Sequence, residues 1–162
     1  MTEPDLAVRT AEERDALLGF VEHSRGEIRQ LLDDLTDEEL RSRLVPSATT
    51  VLGLVKHCTF VERVWFLATV GGRPRSELGL PETVEPSFEL HPADTADSVR
   101  AAFDAACAQS RQLVAGLALD DEVEHRRFGR LSVRWILLHL VREYARHAGH
   151  GDILREQLLA RR

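Results

Sequence analysis

An all-α fold, a four-helix bundle, is what this 162-residue sequence predicts. Three observations carry that expectation. Apolar residues recur at three- and four-residue spacing through four long segments. Capping residues stand at the heads of those segments, and glycine marks where two of them stop. Strand character is confined to one short piece, His125 to Leu131. Four helices of roughly 20 to 27 residues bury their apolar stripes most simply against one another. The chain has the length of one domain, residues 1–162, and enough of it to bury a core.

The first helix is expected from about Thr10 to Leu35, with Thr10 and Glu13 in the spacing of a capping box. Leu17, Leu18, Val21, Ile28, Leu31, Leu32 and Leu35 then share a face. A second box, Thr36 with Glu39, opens a short turn that runs through Leu44 before Pro46 ends it. The second long helix starts at Thr49 or Thr50 and stops at Gly71-Gly72, carrying Leu52, Leu54, Val55, Val61, Val64, Trp65, Phe66 and Leu67. Between Gly71 and Pro92 the helical period vanishes, and Pro74, Pro81, Pro86 and Pro92 interrupt the chain. This is a long crossing, expected to fold over one end of the bundle, and loops of that length usually have a function. The third helix begins at Asp94 or Thr95, runs through Val99, Ala102, Phe103, Ala106, Leu113 and Val114, and stops at Gly116. A polar link from Asp120 to Arg130 leads to Ser132, the expected cap of the last helix. Its apolar members are Val133, Ile136, Leu137, Leu140, Val141, Ile153, Leu154 and Leu158.

Composition removes several classes of function. A formal net charge of -6 argues against nucleic-acid binding, which needs a concentrated basic face. Arg142, Arg146, Arg155, Arg161 and Arg162 do gather near the end, but Glu143, Asp152 and Glu156 are interleaved with them, as on a solvated helix face. No stretch approaches the roughly 18 apolar residues of a membrane span. The opening MTEPDLAVRT lacks the basic and apolar regions of a secretory leader, so a cytoplasmic location is expected. Cys58 and Cys107 share no metal-type spacing and are expected to be reduced and partly buried. Long helices with exposed apolar stripes make a homodimer reasonable.

The last helix carries an anomaly. His139, Glu143, His147 and His150 follow one another at spacings of four, four and three, so they share a face that Ile136, Leu140 and Leu154 border. Burying a carboxylate and several imidazoles without partners costs several kcal/mol. A divalent metal would resolve that cost. So would half-buried hydrogen-bonded histidines with Glu143 paired to Arg142 or Arg146, and spacing alone leaves several ligand pairs open. A further ligand must come from another helix. His57 is the best placed, in the apolar run VLGLVKHCTFVERVWF on a face shared with Leu54, Val61 and Val64. His23, surrounded by Glu22, Ser24 and Arg25, is expected at the surface or the rim of a site. His91 and His125 are expected to be solvated.

LVKH at 54–57, FVERVWF at 60–66 and SVRWILLHLVREYARHAGHGDILRE at 132–156 together resemble the DinB/YfiT-like superfamily, in its branch of stand-alone bundles. The resemblance spans nearly the whole chain, including RDALLGFVEHSR and the LVPSATTVLGLVKH entry to helix two. It implies a three-ligand metal site: His57 in the helix-two position, with Glu143 and His147 as the pair on the last helix. Many members have histidine where this chain has Glu143. Glutamate also occurs in the related mycothiol-dependent maleylpyruvate isomerases, so the substitution leaves the site intact and the metal less determined. His139 and His150 lie outside that pair, where a substrate contact and a mere surface position are equally open.

Two imidazoles and a carboxylate leave a divalent ion with open coordination positions, the ligand pattern of catalytic zinc, shared with non-haem iron. Zinc is the foremost expectation, with nickel, iron or manganese as alternatives. The resemblance implies thiol chemistry: mycothiol or bacillithiol attacking a small electrophile in detoxification, the thiol being deprotonated when a cation holds it. Arg63, Arg146 and His150 are candidates to hold the thiol or the substrate. Metal-dependent hydrolysis of a small molecule is the alternative chemistry. A non-catalytic bundle stabilised by its metal or docking on a partner is the alternative class.

Overall fold

Side-chain caps begin three of the four long helices. Thr50 accepts from Gly53 N–H, Thr95 and Ser98 cap one another reciprocally, and Ser132 accepts from Trp135 N–H. These caps open α4 (Val51–Glu62), α5 (Ala96–Val114) and α6 (Val133–Leu159). In this computed structural model, which describes residues 4–162, they are preceded by α1 (Pro4–Ala7), α2 (Glu13–Gln30) and α3 (Asp37–Arg41). Residues 1–3 of the span expected to form one domain lie outside the described residues.

The start of α2 departs from expectation. Thr10 does not cap it; the helix begins after Glu12 with no side-chain cap. Thr10 lies instead in the turn that follows α1, where Ala11 N–H bonds the Val8 carbonyl, and Glu13 is drawn to Arg134 of α6 at 2.8 Å. The tertiary ion pair and the packing of α1 on α2 take both members of the local box. The other end of α2 stops at Gln30 rather than Leu35, and Asp34 at φ 59° turns the chain. The Thr36–Glu39 box does form, but its helix ends at Arg41 because Ser42 is already extended.

Helix α4 continues without a break into a π-helical segment, Arg63–Val70. Its wider turn is visible in Gly71 N–H reaching the Phe66 carbonyl at 2.7 Å and Thr69 Oγ1 reaching the Val64 carbonyl at 2.9 Å, both five residues back. The segment carries Trp65, whose indole faces the hairpin and α6.

The core lies where α2 packs on α6 and α4 on α5 and α6. Ile28, Leu52, Leu54, Phe66, Phe103, Ile136, Leu137 and Leu140 are fully buried there. Each such side chain contributes about 1.5–3 kcal/mol of transfer free energy. Gly151 permits the close approach of α2 and α6, since a Cβ there would fall 2.4 Å from Leu31 Cδ1. The polar link forms an antiparallel hairpin, β1 (Glu122–His125) with β2 (Gly129–Ser132), so strand structure begins earlier than the 125–131 piece and is broken by a turn. Gly129 at φ 71° supplies the left-handed residue that turn needs. Among the described residues no helix is long and apolar enough to cross a membrane.

A buried ion pair ties three helices together. Arg25 of α2 donates two parallel hydrogen bonds of 2.8 Å to Glu62 of α4, and Tyr144 of α6 donates to Glu62 Oε1 at 2.6 Å. Glu62 and Tyr144 are wholly buried and Arg25 almost so. Glu62 lies five residues after His57, and Tyr144 three before His147.

Candidate functional site

A cavity of ≈ 980 Å³ opens between α4 with its π-helical continuation, the crossing, the hairpin turn and α6. Four of the seven histidines line it: His57, His125, His139 and His147. The crossing closes one side through a 3₁₀ turn, Glu85–Phe88.

His57 is buried on α4, as its apolar neighbours predict. Its Nδ1 stands 2.7 Å from Ser87 Oγ, and that hydroxyl spends its one proton on the Val84 carbonyl at 2.5 Å. Ser87 can therefore only accept from the imidazole, so Nδ1 carries the ring proton and Nε2 keeps a bare lone pair. Phe88 stacks on the ring at 4.0 Å and an interplanar angle of 11°. Burial, with repulsion from His147, pushes this imidazole down to about 3, so it is neutral at physiological pH.

His147 meets His57 edge to face, ring centroids 4.7 Å apart. Its Nδ1 is buried with no hydrogen-bond partner, and its Nε2 stands 3.7 Å from Glu143 Oε2. Burial lowers the His147 imidazole from its ordinary value, partly offset by Glu143. Glu143 is largely buried, but its Oε1 turns outward to Arg142 at 3.1 Å and Arg146 at 3.8 Å. His57, Glu143 and His147 are therefore neighbours on one cavity wall. Among the described residues, though, no three histidine, cysteine, aspartate or glutamate side chains are drawn together as a ready set of metal ligands. The donor chemistry still suits a divalent ion: a bare buried His57 nitrogen, a His147 with an orphaned polar atom, and an adjacent carboxylate.

The second half of the cavity is aromatic. His125, expected in solvent, is buried: the hairpin turn folds it between Trp65 at 5.0 Å and Phe128 at 4.8 Å. Its Nδ1 accepts from the backbone N–H groups of Arg127 and Phe128, which fixes the turn. His139 packs on Trp65 at 4.4 Å and is stacked on Trp135 at 5.1 Å. Burial lowers both imidazoles from the ordinary range.

The other expected contacts are placed elsewhere. Arg146 is exposed and, among the described residues, pairs only with Glu143. Arg63 donates to the Leu78 carbonyl at 2.5 Å and lines a separate cavity of ≈ 570 Å³ on the other side of the crossing. His150 is exposed, its ring 5.9 Å from that of His147, beside a third hollow that includes Ile153. His23 is half-buried between Asp5 and Glu27, away from the cavity. His91 is exposed, as expected. Both cysteines are free and buried more completely than the sequence implies, and burial raises both thiols well above their ordinary range. Sequence reasoning missed Ser87, Phe88 and the partners of Glu62. The available signal for Glu62 was a carboxylate inside the apolar run FVERVWF, which has to find a cation.

A bundle of four long helices, with a buried histidine on the second facing two residues four apart on the last, defines the DinB/YfiT-like class. Within it, a family profile described as mycothiol-S-transferase matches residues 16–160, and the chain belongs to that family. Among curated proteins none matches the chain.

Proposed function

We propose that this protein is an S-transferase that joins mycothiol, or a thiol of bacillithiol type, to a small electrophile, with a divalent metal held by His57, His147 and Glu143. Zinc is the metal the ligand set favours, with nickel, iron or manganese as alternatives. A single observation carries the reading: His57 is buried, neutral and locked by Ser87 with its Nε2 lone pair free, facing a His147 whose own Nδ1 has no partner. A buried imidazole pair in that state needs an external partner. The family of the chain supplies the thiol.

When bound, a divalent cation would deliver the thiol as its nucleophilic thiolate near neutral pH. The protein's own residues do the rest. Ser87 holds the His57 tautomer and ring angle, and such outer contacts typically tune ligation 10–100-fold. Phe88 covers His57 and excludes water from that side. Neither cysteine serves as nucleophile, since both are buried with raised thiol pKa values. Cytoplasmic detoxification is the role this chemistry fits.

Purified protein, loaded with Zn²⁺ and dialysed, should retain about one equivalent, and His57→Ala and His147→Ala should retain far less. Wild type that keeps no metal refutes the ligand assignment. Holo-protein that conjugates none of several electrophiles with mycothiol or bacillithiol faster than buffer refutes the transferase reading.

A further inference from the structure

Hydrogen bonds fix the ring proton on three of the four cavity histidines, and they place it on different atoms. His57 is Nδ1-protonated. His125 is the reverse: two backbone N–H groups, of Arg127 and Phe128, donate to its Nδ1 at 3.2 Å each, so its proton must be on Nε2. His139 is the reverse as well, because its Nδ1 lies 3.2 Å from Arg142 Nη2, and a guanidinium only donates. Neither Nε2 has a protein acceptor among the described residues, and both side chains line the cavity and pack on Trp65. The wall around them is planar and apolar: Trp65, Phe128, Phe88 and Phe60. Of the charged residues that line the cavity, Arg75, Arg126 and Arg127 are matched in number by Glu82, Glu85 and Glu143.

Resting on the transferase reading above, we infer that His139 and His125 are catalytic hydrogen-bond donors for a neutral, planar conjugated carbonyl electrophile, an enone or a quinone, lying against Trp65. Such a substrate matches both halves of the site, a flat body for the aromatic wall and an oxygen for two N–H groups. The step balances without an oxidant. The thiol gives up its proton to solvent, the sulfur pair forms a C–S bond at the β-carbon, and the C=C pair shifts towards the carbonyl to leave an enolate. The charge gathering on the enolate oxygen is met by the Nε2–H groups of His139 and His125, and solvent returns one proton at the α-carbon. The net reaction is addition, with no leaving group. Neutral donors placed where charge develops are the general device of an oxyanion hole.

Two probes with the same phenyl body separate this role from mere packing. Benzylideneacetone is an enone, so its oxygen takes up charge; benzyl chloride transfers to sulfur with loss of chloride and gives a donor no oxygen. Zinc-loaded wild type, His139→Ala, His139→Gln and His125→Phe are compared with mycothiol on both. For His139→Ala the ratio of enone to chloride kcat/KM should fall about 100-fold, the lower end for one lost oxyanion donor. His139→Gln, which restores an N–H, should recover part of the ratio, and His125→Phe should lower it while keeping the stack. An unchanged ratio in His139→Ala, with both probes losing equally, overturns the inference and leaves the transferase. Wild type that uses benzyl chloride but not the enone overturns it as well. Wild type that conjugates neither probe overturns the inference together with the reading it rests on.

Discussion

Replacing Arg25 by methionine should destabilise the protein severely, because it strands a buried charge. Glu62 is fully buried and receives three hydrogen bonds, two from Arg25 at 2.8 Å and one from Tyr144 at 2.6 Å. Without Arg25 the carboxylate keeps only the phenol, and breaking a buried pair in this way costs about 3–5 kcal/mol. For a domain of this size a urea m-value of about 2 kcal/mol/M converts that to a midpoint lowered by about 2 M. Tyr144→Phe removes one hydrogen bond to a charged group and should cost about 1.5–3 kcal/mol. The triple variant Arg25→Met, Glu62→Met, Tyr144→Phe removes every member and leaves no orphan, since Glu22 keeps Arg111 at 2.7 Å. It should fall within about 1 kcal/mol of wild type, or above it. Urea unfolding followed by far-ultraviolet circular dichroism gives all three numbers. An Arg25→Met cost below about 1 kcal/mol, or a triple variant as unstable as the single one, refutes the reasoning. Because the network couples the helices of His57 and His147, Tyr144→Phe should also weaken zinc binding.

Further expectations concern the crossing and the buried imidazoles. Gly53→Ala places a Cβ 2.8 Å from the Phe88 carbonyl, so it should push the crossing off His57 and weaken zinc binding in calorimetry; unchanged affinity would show that the crossing does not tune the site. Ser87→Ala removes the hydroxyl that fixes the His57 tautomer, and zinc affinity should fall about 10–100-fold. Stability of the metal-free protein should decrease as pH falls. Burial holds His57 down to about 3 and lowers His125, His139 and His147 too, so below an ordinary value near 6.5 the unfolded chain binds more protons than the folded one. Their contribution is complete above about pH 6.5 and, for His57, lost as pH drops towards 3. A urea midpoint constant between pH 7.5 and 5 would contradict this.

Local chemistry made much of the fold legible. Thr50, Thr95 and Ser132 cap helices where their spacing to the following residues says they should, because a cap is decided within one turn. Thr10 failed for the opposite reason: α1 and Arg134, distant or non-helical in sequence, claim its neighbourhood. His57 was legible as a buried polar group within an apolar run, and the face of His139, Glu143 and His147 was legible from periodicity. His125 was not, because a charged link gives no sign that a hairpin will fold its imidazole between Trp65 and Phe128.

The sequence by itself determined the four helices, their apolar faces and the presence of ionisable groups on two of those faces, since each of these follows from spacing along one helix. Only the tertiary structure decided which groups meet. The distance between His57 and His147, the pairing of Arg25 with Glu62, and the proton position on His57 depend on contacts between residues 30 to 90 places apart. Crossing helices and a folded-over loop create those contacts, and no local pattern encodes them.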